Sequence, residues 1–314
     1  MQTVLITGGT GLTGRALTSV LLQKGYMVII LTRNIPEKKP QNGLSYAEWD
    51  INDQTINVEA IQRSDFIIHL AGAGVVEKKW TDAYKKEIVN SRTKSSELLF
   101  SALKNNPNKV KAVISASAIG WYGADPYETN DTRGLEQGFT ETAIPDKKFL
   151  GETCRLWEES IEQVATLGIR LVKFRMGIVL SNDGGALTEF KKTLRFGIAA
   201  VLGNGKQVIS WIHIDDLCRL FIYAIENEKI NGIYNAVSPM PVSNKMLTLG
   251  LAAVMRGKFF ITVFVPAFIL KLMMGQRSIE VLKSAKVSCK KIQDTGFNFF
   301  YPSIDNALQH LIKK

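Results

Sequence analysis

Three glycines near the start of the chain stand where a phosphate could approach the backbone. In "VLITGGTGLTGRAL" (residues 4–17), Gly8, Gly11 and Gly14 separate a strand-like run from a helix-like run. Glycine has no Cβ, so it permits positive φ and close approach of a ligand. The free N–H groups at the start of the helix then attract a pyrophosphate. The spacing and its context predict a dinucleotide-binding turn.

The residue that follows the next strand indicates which dinucleotide binds. An NAD site usually has Asp or Glu at this strand end to hold the ribose 2′-hydroxyl. Here "MVIILT" is followed directly by Arg33. A guanidinium suits a 2′-phosphate, because it donates paired, charge-assisted hydrogen bonds. An ordinary surface arginine is the alternative. We expect NADP(H) as the cofactor.

Four further side chains lie where a substrate would enter. Trp80 and Arg92 flank the crevice expected outside the carboxyl ends of parallel strands. Arg175 and His213 lie at later strand ends and could contact an anionic group. Each also has a structural alternative, since His213 could simply cap the helix that follows it, together with Asp215. They make a small-molecule substrate one expected partner.

The elements that must position these residues alternate regularly. Apolar strand runs are separated by amphipathic helical runs, a pattern that predicts a doubly wound α/β fold with a parallel sheet. We assign residues 1–180 to a Rossmann domain, with 211–238 returning to its sheet. Residues 181–210 and 239–314 form a small, helix-rich C-terminal lobe on the substrate side. The runs "SDFIIHLAGA", "VKAVISASAIG" and "IRLVKFRMGIVL" are each predicted as one strand.

Cysteines and histidines give no sign of a metal centre or a disulfide. Cys154, Cys218 and Cys289 are far apart, so we expect reduced, buried thiols and a cytoplasmic protein. The three histidines have no metal-ligand spacing, and we expect no metal. The start of the chain lacks the basic and apolar regions of a signal peptide.

The net charge and one apolar segment could suggest other partners. The formal charge is +10, but the lysines are spread thinly, so we expect no nucleic acid. "FFITVFVPAFIL" (259–270) is shorter than the roughly twenty residues that span a bilayer. We interpret it as a buried strand, a turn and a helix start, and expect no membrane partner. A homodimer is the assembly we consider.

Several long motifs together resemble the extended and atypical short-chain dehydrogenase/reductases, which include nucleotide-sugar epimerases. More closely, the chain resembles the epimerase-like NAD(P)-binding proteins that carry a C-terminal domain of unknown function. The resemblance covers essentially the whole chain. Its motifs are "TGGTGLTGRAL", "HLAGA", "VNSRTKSSELL", "SASAIGWYG", "FLGETCRLWEE", "RMGIVLSNDGGAL", "WIHIDDL" and "VPAFILKLMMG" with "TGFNFFYPSIDNAL".

The resemblance implies roles for individual residues. Asp50 would lie beside the adenine amine and Ser115 at the nicotinamide end of its strand, while Ser117 occupies the place of the catalytic serine. Small-residue packing is the alternative for both serines. The resemblance further implies that backbone groups cradle the pyrophosphate or line the ribose at Gly8, Thr10, Gly11, Leu12, Thr13, Ala71 and Gly72.

The chain departs from the family at the proton-transfer pair. Active members use Tyr-x-x-x-Lys, but no tyrosine here is followed four residues later by lysine. Phe149 stands at the place of the tyrosine and cannot exchange a proton. Glu152 could act as acid and base if burial raised its pKa. Tyr122 could act from the strand end if its pKa were lowered.

Two functions from different classes remain open on the sequence. One is an NADP-dependent oxidoreductase or epimerase that acts on a small anionic or sugar-nucleotide-like substrate. The other is a non-catalytic NADPH-binding protein that senses redox state or contacts another protein. The cofactor turn and Ser117 favour the enzyme. The missing pair favours the sensor, since losing a proton-transfer group typically costs a factor of 10²–10⁴ in rate.

Overall fold

The computed structural model describes residues 1–35, 41–125 and 138–313. In the described residues the strands are β1 (Thr3–Thr7), β2 (Met27–Thr32), β3 (Leu44–Asp50), β4 (Thr55–Ile56), β5 (Phe66–His69), β6 (Ala112–Ala118), β7 (Arg170–Met176), β8 (Ile178–Ser181), β9 (Gly184–Gly185), β10 (Ile198–Leu202), β11 (Val208–Ile209), β12 (Trp211–His213), β13 (Gly232–Ala236), β14 (Val242–Ser243) and β15 (Ile261–Val265).

The helices alternate with the strands of the first half and dominate the end of the chain. They are α1 (Leu12–Gln23), α2 (Val58–Arg63), α3 (Asp82–Asn105), α4 (Phe149–Glu162), α5 (Ala186–Leu194), α6 (Ile214–Glu226), α7 (Asn244–Arg256), α8 (Ala267–Met274), α9 (Ser278–Leu282), α10 (Lys290–Gln293) and α11 (Ile304–Lys313), with short 3₁₀ turns at Ile119–Trp121, Gln163–Leu167 and Gly275–Arg277.

One large sheet holds the first half together. Its strand order is β13-β7-β6-β5-β1-β2-β3-β4. Every pair is parallel except β3 with β4, which is antiparallel. The chain order reverses between β1 and β5, and in open α/β sheets the crevice beyond such a reversal is where ligands bind. The predicted doubly wound α/β fold is confirmed.

Two helical layers cover this sheet. Alternate strand residues such as Ile6 and Ile114 pack with α1 and α6 on one face. Their neighbours, such as Leu5 and Val113, pack with α2 and α3 on the other. Strands that are buried on both faces must be apolar on both faces, which explains their continuous apolar sequence. Polar residues inside these strands are therefore exceptions that need partners.

The predicted strand "IRLVKFRMGIVL" is divided in the structure. It bends at Gly177, where a Cβ would lie 2.7 Å from the carbonyl oxygen of Ser210. The part before the bend is β7 in the large sheet, and the part after it is β8, which pairs with β12 and β9 in a separate three-stranded sheet. Two further pairs, β10 with β15 and β11 with β14, complete the described strands.

The boundaries of the C-terminal lobe stay a prediction, because one apolar core crosses them. Buried residues from β1 and β2 belong to the same cluster as those of α6, α7 and α11. The return of the chain to the large sheet is made by β13, which pairs with β7. The other strand of the predicted return segment, β12, pairs with β8 instead.

The apolar segment 259–270 is not buried as predicted. It does contain a strand and a helix start, β15 and α8. However, Phe259 and Phe268 are 86% and 70% exposed, and β15 has no fully buried residue. In the described residues no helix is long and apolar enough to cross a membrane. All three cysteines are free and buried, as expected.

Candidate functional site

The glycine turn between β1 and α1 is shaped by contacts that tolerate no side chain. Gly8 has φ +69°, and a Cβ built on it would lie 2.9 Å from the carbonyl group of Leu70. A Cβ on Gly14 would lie 2.4 Å from the carbonyl oxygen of Gly8, so α1 can pack on the turn only with glycine there. Both glycines are therefore required by the geometry of the turn.

The start of α1 presents an uncapped helix end at this turn. Gly11 is the N-cap and has no side chain to satisfy the first backbone N–H groups, and no acidic residue stands in the first turn. Thr10 is exposed, while Leu12 and Thr13 are half-buried. A helix end of this kind carries positive partial charge and free donors. The turn fits a pyrophosphate.

A buried hydroxyl joins the turn to the loop after β5. Thr7 Oγ1 accepts the N–H groups of Leu70 and Ala71 at 3.1 and 3.2 Å, and lies 2.7 Å from His69 Nδ1. Because the oxygen accepts from two amides, its own hydrogen points to Nδ1. His69 Nε2 then carries the ring proton and faces Ser96 Oγ at 3.2 Å. This chain of bonds fixes where Ala71 and Gly72 stand.

The other predicted cofactor residues lie along the same edge of the sheet. Arg33 is exposed directly after β2, and Asp50 ends β3. Asp50 Oδ1 accepts the N–H groups of Asn52 and Asp53, so this carboxylate also holds the turn into β4. Ser115 is buried one strand beyond β5, and its hydroxyl donates to the carbonyl oxygen of Ala116.

Ser117 and Arg175 meet in a buried network that the sequence did not indicate. Ser117 Oγ donates to Glu158 Oε1 at 2.6 Å. Arg175 donates to both oxygens of the same carboxylate, from Nε at 2.7 Å and from the terminal nitrogen at 2.9 Å. The ion pair is almost completely buried, and the Arg175 guanidinium lies 3.6 Å from the centre of the Trp121 ring.

Tyr122 belongs to the same network. Its hydroxyl donates to Asn235 Oδ1 at 2.7 Å and accepts from Arg175 at 3.1 Å. Burial raises the pKa of Tyr122 to about 12. Tyr122 could exchange a proton near neutral pH only if its pKa were lowered. The structure instead raises this pKa, which does not favour a catalytic role. Arg175 likewise uses its donors inside the protein rather than toward the crevice.

Glu152 does not have the environment that its proposed role requires. Its side chain is 46% exposed, and it accepts a hydrogen bond from Arg155 Nε at 2.9 Å. The hydrogen bonds from Arg155 hold the pKa of Glu152 below its ordinary value. A carboxylate with a lowered pKa stays ionised near neutral pH and is a poor general acid.

The predicted substrate residues Trp80 and Arg92 lie before α3 and within it, and both have partners inside the protein. The Trp80 ring packs edge-on against Phe149, with centroids 5.0 Å apart. Lys85 Nζ, which sequence reasoning missed, lies 5.6 Å from the centre of the Phe149 ring. Arg92 is buried and donates to the carbonyl oxygens of Ala73 and Ile88 at 3.0 and 2.9 Å. Arg92 therefore supports the loop after β5 from beneath.

His213 caps the N-terminus of α6, as in the structural alternative to a substrate contact. Its Nδ1 accepts the N–H of Asp215 at 3.0 Å, and its Nε2 lies 3.1 Å from His310 Nδ1. His213, Asp215 and His310 are close enough to surround one metal ion. The capping bond, however, uses the Nδ1 lone pair, which places the ring proton on Nε2 toward His310. The donor set therefore does not fit a metal in this arrangement.

Two known families match separate parts of the chain. The NAD dependent epimerase/dehydratase family matches residues 4–143, and a domain of unknown function, DUF1731, matches residues 265–311. An epimerase family protein of Staphylococcus saprophyticus is 36% identical over 99% of this chain and 100% of its own length. One from Staphylococcus aureus is 35% identical and is covered completely in both directions.

Solved structures agree with this similarity. A crystal structure of the human epimerase family protein SDR39U1 with NADPH superimposes with a TM-score of 0.83 at 25% identity, over all of both chains. A nucleoside-diphosphate sugar epimerase from Corynebacterium glutamicum gives a TM-score of 0.75 at 30% identity, over 99% of this chain and 58% of that one. This chain belongs to the epimerase family of NAD(P)-binding proteins that carry a C-terminal DUF1731 domain.

Proposed function

We propose that this protein binds NADP(H) along the carboxyl edge of the large sheet, with the pyrophosphate at the glycine turn. The observation that carries the preference for the 2′-phosphate is Arg33. It stands exposed directly after β2, the strand beside β1, with Asn34 and no carboxylate next to it. A guanidinium there attracts a 2′-phosphate, whereas a carboxylate would repel it.

The human relative supports the same cofactor, because its crystal structure is described with NADPH. That relative covers the whole of this chain. A structure of UDP-glucuronic acid 4-epimerase from Bacillus cereus is described with NAD, but it is 19% identical to this chain and supports the fold only. The choice between NADPH and NADH therefore depends on Arg33.

Replacing Arg33 tests the cofactor proposal directly. We expect Arg33→Ala to weaken NADPH binding by about tenfold to a hundredfold, because charge-assisted hydrogen bonds contribute about 1.5–3 kcal/mol. NADH lacks the 2′-phosphate, so its affinity should stay unchanged. Isothermal titration calorimetry with both nucleotides gives the four dissociation constants.

Arg63→Ala is the matched control, since Arg63 is an exposed arginine on α2, away from the glycine turn. It should leave both affinities unchanged. Equal loss of NADPH and NADH binding in Arg33→Ala would show that the residue does not read the 2′-phosphate. Unchanged NADPH binding would remove it from the site.

We further propose that the bound nicotinamide exchanges hydride with a small anionic or sugar-nucleotide-like substrate. Family membership supports an oxidoreductase or epimerase of this kind. In this chain Trp80 and Phe149 form an apolar contact between the segment before α3 and the start of α4, and we place this contact beside the substrate. Ser117 and Tyr122 are hydrogen-bonded inside the protein, to Glu158 and Asn235, so either hydroxyl would have to leave its partner in order to act on a substrate.

The buried network favours a second candidate, a non-catalytic NADPH-binding sensor. Ser117, Tyr122 and Arg175, which the sequence proposed for chemistry or substrate, all have protein partners. Phe149 has no exchangeable proton. A protein that keeps the cofactor turn and has lost proton transfer could report the NADPH level to a partner.

A single-turnover absorbance experiment separates the two candidates. The protein is loaded with stoichiometric NADP⁺, and fractions of small metabolites that include nucleotide sugars are added. A signal from reduced nicotinamide supports the enzyme and identifies the substrate fraction. Tight NADPH binding with no signal from any fraction supports the sensor.

Ser117→Ala decides whether that serine acts in turnover. If Ser117 is structural, the variant loses a buried hydrogen bond to a carboxylate, so its unfolding free energy falls by about 1.5–3 kcal/mol while its turnover is kept. Ser160→Ala is the matched control, because Ser160 is a buried α4 serine whose hydroxyl donates to the Trp157 carbonyl oxygen. Loss of turnover in Ser117→Ala alone would restore the catalytic assignment.

A further inference from the structure

Exposed apolar side chains cluster on the part of the chain that the sequence predicted to be buried. β10 and β15 form a two-stranded parallel sheet, and in the described part of the chain no strand pairs with the outer edge of β15. α8 follows directly. We call this surface the apolar face; it comprises Phe196, Ile198, Phe259, Ile261, Val263, Phe268, Leu272 and Met273.

The side chains of the apolar face project outward. Phe196 is 84% exposed and Leu272 is 85% exposed. Scattered exposed apolar residues are common, but eight on paired or consecutive elements are a concentration of the kind that marks an interaction site. Because these side chains project, a protein partner would need a matching cavity for each of them, whereas the disordered interface of a bilayer accepts them without one.

The exposure of its residues shows which side of α8 faces outward. Leu270 is buried, whereas Phe268 and Leu272 are exposed one helical turn apart, on the opposite side of the helix. Lys271 is exposed next to them. The outward side of the helix therefore combines large apolar side chains with a positive charge.

The charge near the apolar face is mainly positive, since Glu189 on α5 and Glu280 on α9 are each paired with a lysine. Residues 229–279 contain no aspartate or glutamate and six basic residues, namely Lys229, Lys245, Arg256, Lys258, Lys271 and Arg277. A second copy of the chain docked on this face would bring the same positive charges against it. An anionic surface would instead be attracted.

We propose that the apolar face attaches the protein to the surface of an anionic lipid bilayer. Phe259, Phe268 and Leu272 enter the boundary between headgroups and acyl chains, while Lys258 and Lys271 contact the phosphate groups. The attachment is peripheral and reversible, because no described helix can cross the bilayer. The short length of segment 259–270 argues against a membrane-spanning helix. It does not argue against contact with the surface of a bilayer.

Vesicle co-sedimentation tests this proposal. The wild-type protein should sediment with phosphatidylcholine vesicles that contain phosphatidylglycerol and much less with pure phosphatidylcholine, and binding should fall as salt rises. The double variant Phe268→Ser with Leu272→Ser should bind at least about tenfold more weakly, because it removes the inserted apolar groups. Lys258→Glu with Lys271→Glu should have an effect of similar size.

Two control variants lie outside the apolar face. Ile144→Ser removes an apolar side chain that is 82% exposed elsewhere. Lys111→Glu reverses an exposed charge just before β6, at the opposite end of the strand from the crevice. Both should sediment like the wild type. Thermal unfolding and NADPH titration of every variant confirm that the fold and cofactor site are intact.

Three results would overturn the proposal. Equal binding to neutral and anionic vesicles would remove the charge argument. Unchanged vesicle binding by the Phe268→Ser, Leu272→Ser variant would place the contact elsewhere. A wild-type dimer that this variant converts to a monomer, with no vesicle binding by either, would show that a second copy covers the apolar face.

Discussion

His69 is a buried titratable side chain that the fold holds neutral. It lies between Thr7 and Ser96 with both ring nitrogens facing hydroxyl oxygens, and it is fully buried. Burial lowers the pKa of His69 to about 3. An imidazole in the unfolded chain titrates near 6.5. The bond network that places the loop after β5 therefore depends on a neutral ring.

This difference makes stability depend on pH. Between pH 6.5 and pH 3 the unfolded chain binds a proton at His69 that the folded chain does not bind. The free energy of unfolding therefore falls as the pH drops through this window and is fully regained above it. From pH 7 to pH 5 the loss attributable to His69 is about 2 kcal/mol. Urea unfolding at these two values measures it.

His69→Gln isolates the contribution of this one group. Glutamine can still bond to the neighbouring hydroxyls but does not titrate, so the variant should lose about 2 kcal/mol less than the wild type over the same interval. His213 and His310 are present in both proteins, so their contributions cancel. Equal losses in the two proteins would contradict the assignment.

At the residue scale the sequence could identify strand-end positions but not their partners. Lys173 and Arg175 lie on one face of β7 among apolar residues, so each needs a carboxylate partner. α4 supplies both: Glu158, which is buried with Arg175, and Glu162, which is exposed and pairs with Lys173. Their helix also carries Glu152 and Glu159, so the sequence alone cannot say which carboxylates face inward. The family resemblance assigns Ser117 to chemistry, whereas the structure shows it bonded to Glu158 in this network.

At the element scale the β1–α1 unit depends on one close contact. Gly14 lies in the first turn of α1 against the backbone of Gly8 and Gly9. The atoms that a Cβ on Gly14 would meet belong to the backbone and not to a flexible side chain. A Cβ therefore cannot be accommodated without moving the helix away from the sheet. The same contact fixes where the uncapped end of α1 points.

Gly14→Ala should therefore affect both stability and binding. We expect a loss of about 3 kcal/mol in unfolding free energy and at least about tenfold weaker NADPH binding, because overpacking displaces the helix end that holds the pyrophosphate. Denaturant unfolding and nucleotide titration measure the two effects.

Gly25→Ala is the control, since Gly25 ends the same helix with φ +86° and no atom within 4 Å of a built Cβ. It should cost only about 1 kcal/mol, from the strain of the positive φ, and leave NADPH binding unchanged. Similar losses in both variants would show that the close contact of Gly14 with the turn is not what limits the stability of this unit.

The limits of prediction at this scale have two physical causes. Continuously apolar segments indicate burial on both faces. The strands of the large sheet are buried in this way, but residues 259–270 are exposed. A sequence cannot show whether the surface that covers such a segment belongs to the same chain or to a partner. Gly177 divides the predicted strand 169–180, because its missing Cβ permits the chain to pass Ser210 and change sheets. That neighbour comes from a distant part of the sequence.

At the scale of the whole molecule, one core joins the sheet to the C-terminal helices. Val4 and Val28 from the first two strands belong to the same buried cluster as Leu251 and Leu308. In addition, β13 closes the large sheet beside β7, although it comes from residues 232–236. Neither part can therefore bury its apolar residues completely without the other.

The chain should consequently unfold in one cooperative step. Thermal unfolding followed by tryptophan fluorescence and by far-ultraviolet circular dichroism should give coincident transitions, since Trp49 lies in the sheet and Trp211 lies near the C-terminal helices. Saturating NADPH at about a hundred times its dissociation constant adds about 2.7 kcal/mol and should raise both midpoints together, by about 4 °C. Two separate unfolding transitions, of which NADPH raises the midpoint of only one, would show instead that the C-terminal lobe folds as an independent domain.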